Sequence, residues 1–200
     1  MGSIKKELLS GVFYTAIAKY SGILISLIIT GVLARLISPD KFGIVAVVTV
    51  ITFFFSIFSD LGIGAAIIQN KELQQKDLNQ LFSFTVWSGC ILTLLFFLCS
   101  WPISFFYKEP SMKTITQLLA INLFFASANI VPNALLYKAK AFKFLAWRSL
   151  GVQVSGGIIA ILAALDGAGL YALIINPILS SILLFIISYQ KYPQTLYQSV

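Results

Sequence analysis

The sequence has no histidine, seven acidic residues and two cysteines in 200 positions. Each shortage removes a class of chemistry. Without histidine there is no Ser-His-Asp triad and no imidazole ligand for a metal. The carboxylates are scattered, which argues against a glycosidase pair. No glycine-rich phosphate loop or Walker motif occurs, so ATP-driven transport by this chain alone is excluded. No cofactor or metal is expected. Cys90 and Cys99 lie in one apolar run. Nine helical residues separate them by roughly 13 Å, too far for a disulfide, and they read as inert core or lipid-facing groups. Long loops are missing too. None exceeds about ten residues, so no folded domain outside the apolar segments is expected.

What is present is apolar. Hydrophobic residues make up 58% and charged residues 10%, against about 25% charged in a soluble domain. A water-soluble core of this size could not hide so much apolar surface, so the bilayer is the natural solvent. The net charge of +7 would suggest nucleic acid in a soluble protein. Here the bases sit in short clusters between apolar runs, the pattern of the positive-inside rule, and a nucleic-acid partner is excluded. Lys5 and Lys6 precede an apolar stretch, but that stretch resumes after Lys19, which does not fit a cleaved signal peptide.

A spanning helix needs about 20 mostly apolar residues. Six such segments predict an all-α membrane protein, with helices at 10–37, 43–68, 79–105, 114–137, 144–165 and 169–189. Short breaks make successive helices antiparallel neighbours. The break in "LARLISPDKFG" is a hairpin: Ser38-Pro39 ends the first helix, Asp40 suits the start of the second, and Gly43 permits close packing. With the N-terminus cytoplasmic, nine bases face the cytoplasm: Lys5, Lys6, Lys71, Lys76, Lys138, Lys140, Lys143, Arg148 and Lys191. Four face outward, namely Arg35, Lys41, Lys108 and Lys113. Both ends of the chain are therefore expected on the cytoplasmic side.

Charges within the apolar runs are the informative residues. Lys19 lies about 13 Å into the first helix, and Asp60 lies at similar depth in the second. They are expected to approach each other or to line one aqueous cavity. The alternatives are a plain neutralising pair and a place on a substrate or ion path. Lys138, Lys140 and Lys143 form a basic rim that fixes orientation and meets anionic membrane lipids. Arg148, deeper, could hold a phosphate bidentately. Arg35 at the outer end either snorkels or pairs with Asp40. Pro132 and Pro177 interrupt the fourth and sixth helices, either as static kinks or as bends used in alternating access. Gly151, Ser155, Gly156 and Ala160 put small residues at close-packing positions on the fifth helix.

The loops carry a resemblance. "LARLISPDKFG", "SDLGIGAAIIQNKE" with "DLNQLFSF", "FFYKEP", "VPNALLYKAKAFKFLAWRSL" and "GAGLYALI" follow one another in order. Together they resemble the Wzx/WzxC-type polysaccharide exporters of the multidrug/oligosaccharidyl-lipid/polysaccharide (MOP) flippase superfamily, over nearly the whole chain. The resemblance implies one six-helix lobe of a MATE-like transporter that ordinarily has two. It implies flipping of undecaprenyl-pyrophosphate-linked oligosaccharide across the bacterial inner membrane, for lipopolysaccharide O-antigen, capsule or exopolysaccharide. It implies as partners a second lobe or a second copy, and other polysaccharide assembly proteins. The sequence stops after six helices and so is expected to be an N-terminal lobe, either a fragment or a truncated gene product. No compact catalytic motif belongs to that family, and no enzyme activity is expected. A MATE-like drug or cation antiporter and a non-transporting membrane fragment remain the rival readings.

Overall fold

A computed structural model describes residues 2–70 and 72–196, with side chains at residue 11 and from residue 13 onward. Lys71 therefore lies outside the described residues, as do the side chains of Lys5 and Lys6. The chain folds as α1 (Gly2–Leu36), α2 (Pro39–Asp60), α3 (Ile63–Gln69), α4 (Gln75–Tyr107), α5 (Pro110–Ala128), α6 (Ile130–Lys138), α7 (Phe142–Leu165), a 3₁₀ turn (Gly169–Tyr171) and α8 (Ala172–Lys191). Six stretches among the described residues are long and apolar enough to cross a membrane: Phe13–Leu36, Pro39–Asp60, Gln75–Tyr107, Pro110–Lys138, Phe142–Leu165 and Gly169–Lys191. The protein is an all-α, multi-pass membrane protein.

Two spans differ from the continuous helices expected. The second breaks at Leu61 and Gly62, both left-handed at φ 41° and 79°. That double reversal ends α2, and α3 starts a new direction. The fourth breaks at Asn129 between α5 and α6. Pro132 then lies in the first turn of α6, where its missing N–H leaves the Ala128 carbonyl without its helical donor. Pro39 does not terminate α1. It opens α2 from the first turn, where a missing donor is harmless, so only Ile37 and Ser38 form the connection. Pro110 opens α5 in the same way, and Asp77 closes a capping box with the Gln74 backbone at the start of α4.

Packing also departs from simple hairpins. The α4/α5 and α7/α8 pairs are close antiparallel neighbours, but α1 packs along α7 and not along α2. The reason lies in adjacent glycines. A Cβ at Gly157 would overlap the Ile29 side chain of α1, and one at Gly156 would overlap Asn176 of α8. One stretch of α7 thus seats two neighbours on adjoining faces at short range. Ala160 is fully buried beside them, whereas a Cβ on Gly151 or Gly43 would meet nothing. Gly43 is therefore not the packing point expected at the hairpin. The core divides into three buried clusters. One surrounds Phe96, Ile115 and Leu123; one joins Ile29 and Leu33 to Ala160 and Ala172; one holds Ile67, Phe82, Val131 and Leu135. Most other apolar side chains face outward, such as Phe53, Trp87 and Phe105, as bilayer solvent permits.

Candidate functional site

α1, α4 and α7 start at one end of the bundle, and α3, α6 and α8 finish there. At this end a pocket of about 680 Å³ opens between α1 and the turn from α6 to α7. It is lined by Gly11, Tyr14, Lys138, Ala139, Lys140, Phe142 and Lys143. Lys138, Lys140 and Lys143 bring three basic side chains to it. The turn is a Schellman closure: Lys140 N–H donates to the Tyr137 carbonyl at 2.9 Å and Ala141 N–H to the Leu136 carbonyl at 3.1 Å. Lys140 stands at φ 53°, where glycine is the usual residue. Lys138 Nζ donates to the Asn70 carbonyl at 2.7 Å, tying α6 to the end of α3.

Phe142 also lines a second pocket of about 80 Å³, which lies one to two turns deeper and holds Thr15, Ala18, Tyr137, Arg148 and Ser149. Arg148 is half-buried there. Its guanidinium donates to Asn133 Oδ1 of α6 at 2.9 Å and to Ser188 Oγ of α8, so one side chain clamps three helices. Its Nε is buried and has no protein partner. Read from the sequence as a group that could hold a phosphate bidentately, Arg148 has two of its five donors engaged by the protein. Lys138, Lys140 and Lys143 line the larger pocket above it.

The expected approach of Lys19 and Asp60 is not found. Both side chains are exposed, on helices that touch only marginally. Asp60 instead accepts from Gly64 N–H at 3.1 Å, holding the start of α3 across the break. Arg35 and Asp40 are both exposed, and no ion pair joins them. Lys41 reaches over Gly169, whose lack of a side chain admits its ammonium. Pro177 and Asn176 border a mostly apolar cleft of about 430 Å³ between α1, α2 and α8, into which Ser26, Thr30 and Thr49 bring hydroxyls. Three features escaped the sequence reading: the Lys138–Asn70 strap, a Ser127-to-Ser59 hydrogen bond of 2.9 Å, and the segment after α8. In that segment the buried Gln194 side chain accepts from Gln75 at 2.9 Å and its carbonyl from Tyr189 at 2.8 Å. Only its polar composition in an apolar chain could have marked it.

The family profile described as "polysaccharide biosynthesis protein" matches residues 32–199. The chain belongs to this family. It is similar to the lipopolysaccharide biosynthesis protein WzxC of Escherichia coli (strain K12), 27% identical over 158 residues, which are 79% of this chain and 31% of that protein. It is also similar to the teichuronic acid biosynthesis protein TuaB of Bacillus subtilis (strain 168), 28% identical over 60% of this chain and 25% of that one. A third relative is the succinoglycan biosynthesis transport protein ExoT of Rhizobium meliloti (strain 1021), 22% identical over 76% of this chain and 31% of its own. The chain thus matches about a third or less of each relative's length. No solved structure matches it.

Proposed function

We propose that this chain is one six-helix lobe of a flippase that moves a lipid-linked oligosaccharide across the bacterial inner membrane for surface polysaccharide assembly. The observation that carries the reading is the pocket lined by Lys138, Lys140 and Lys143, with Arg148 beneath it. A polyprenyl-pyrophosphate glycan carries a diphosphate that hydrocarbon cannot accept without compensating charge. Ammonium groups at the rim attract the diphosphate, and the unpartnered Nε of Arg148 offers a deeper donor. The glycan follows between helices while the lipid tail stays among the lipids. Alternating access needs a facing surface, supplied by a second lobe or a second copy. The basic end is cytoplasmic in this reading, since the bases concentrate there. A carrier of cationic drugs would favour acidic groups where these lysines stand.

The test is made in the cells that express the gene. The gene is deleted, and an enzyme that reaches only the outer face measures how much undecaprenyl-linked glycan is exposed. The expected result is glycan protected on the inner side, released by the intact gene. A variant with Lys138, Lys140 and Lys143 all changed to Gln, made at normal levels, should restore less than about a tenth of the rate, because each base near the surface contributes about 1 kcal/mol toward an anion. An unchanged glycan distribution in the deletion strain would remove the reading and leave the antiporter in its place.

A further inference from the structure

Two breaks interrupt two different spans at one level of the bundle. Just before them, Ser127 of α5 donates to Ser59 of α2. Just after them, Ile130 of α6 lies against Gly64 of α3. Beyond that point α3 and α6 run together, in a buried cluster that Leu78 and Phe82 of α4 complete. Ile67 and Val131 are fully buried in a shared cluster, and the Lys138–Asn70 strap closes the far end. The short helices are therefore fastened at both ends and in the middle.

The junctions carry gaps in their bonding, although Asn129 N–H still donates to the Phe125 carbonyl at 3.0 Å and its own carbonyl accepts from Asn133 N–H at 2.9 Å. Leu61 and Gly62 are consecutive left-handed residues, a sequence that no helix carries through. At the other break Pro132 leaves the Ala128 carbonyl without its helical partner, and Asn129 Oδ1 is buried with no partner at all. The breaks also separate two buried clusters, one around Ile115 and one around Ile67. Toward α7 the body barely packs, and its polar contact is Asn133 accepting from Arg148. Arg148 keeps its second hold on Ser188, so α7 stays anchored to α8 if Asn133 withdraws.

We propose that α3, α6 and the lysine turn after α6 form one rigid leaf, hinged at Leu61–Gly62 and Asn129 and latched by Asn133, that opens and closes the basic pocket. The inference rests on the reading of that pocket as the cargo's entrance. The leaf carries Lys138 and Lys140, while Gly11 and Tyr14 on the opposite wall belong to α1. α6 is about 13 Å long, so a tilt of about 10° moves its tip by roughly 2 Å. That displacement is enough to change which lysines reach one phosphate. Lys140 absorbs the rotation in the turn to α7.

The experiment measures distances between spin labels in the gene product as the cell makes it, reconstituted in liposomes. Cys90 and Cys99 are first changed to Ser. Labels go on Ile68→Cys in α3 and Ile17→Cys in α1, both exposed positions. The expected result is two distance populations whose ratio changes roughly threefold with inorganic pyrophosphate, and with Asn133→Ala in its absence. A reference pair at Phe53→Cys and Ile17→Cys, with Phe53 on α2 before the break, should give one distance throughout. A single narrow leaf distance in all conditions would overturn the hinge, and so would a reference pair that moves with the leaf. The distances do not depend on transport. Two leaf populations in a protein that flips no glycan would keep the hinge and reject the flippase.

Discussion

Lys140 occupies a left-handed position that glycine would fill with less strain. It faces a pocket shared with two other lysines. Charge and backbone ease therefore conflict at this residue. Lys140→Gly should relieve up to about 1 kcal/mol of backbone strain, while weakening pyrophosphate binding several-fold. Thermal unfolding in detergent and calorimetric titration read the two effects separately. Arg148 behaves in the opposite way. Arg148→Ala leaves Asn133 and Ser188 without their donor and should lower stability by about 1–3 kcal/mol, seen as a fall in Tm. Arg148 and the three lysines were legible in the sequence because charge in an apolar run stands out. The partners of Arg148 were not, since Asn133 and Ser188 are ordinary polar residues 15 and 40 positions away. Lys19 and Asp60 show the converse. Their depth could be counted along each helix, but contact depends on which helices pack, and hydropathy does not encode that.

At the scale of elements, the six spans followed from apolar length alone, and their ends fall close to the charges and prolines that bound them. The breaks at Leu61–Gly62 and Asn129 did not follow, although Asp60 and Gly62 stand at the first and Asn129 and Pro132 at the second, because the apolar residues on both sides make each span long enough as one continuous helix. Close packing of α7 was partly legible. The small residues were visible, but Gly157, which meets Ile29, mattered more than Gly151, which meets nothing. A Gly157→Val substitution should push α1 off α7 and cost about 1–3 kcal/mol, while Gly151→Val should change stability by less than about 0.5 kcal/mol. Parallel thermal melts of the two variants decide this. Equal losses would place the α1 contact elsewhere.

At the scale of the whole molecule, the helices give two ends of unequal charge. In intact cells, a membrane-impermeant maleimide should label Lys108→Cys directly and Lys143→Cys only after permeabilisation, in a background with Cys90 and Cys99 changed to Ser. The reverse pattern would invert the orientation and place the basic pocket outside. The strap between Lys138 and Asn70 has a further consequence, for synthesis. Its two ends are 68 residues apart in the chain, so at ordinary ribosome speed α3 waits about 3–14 s for the partner that fastens it. During that interval α3, too short to cross a membrane by itself, lies at the bilayer surface with Ile67 incompletely covered. A slower ribosome between residues 70 and 138 would lengthen the exposure.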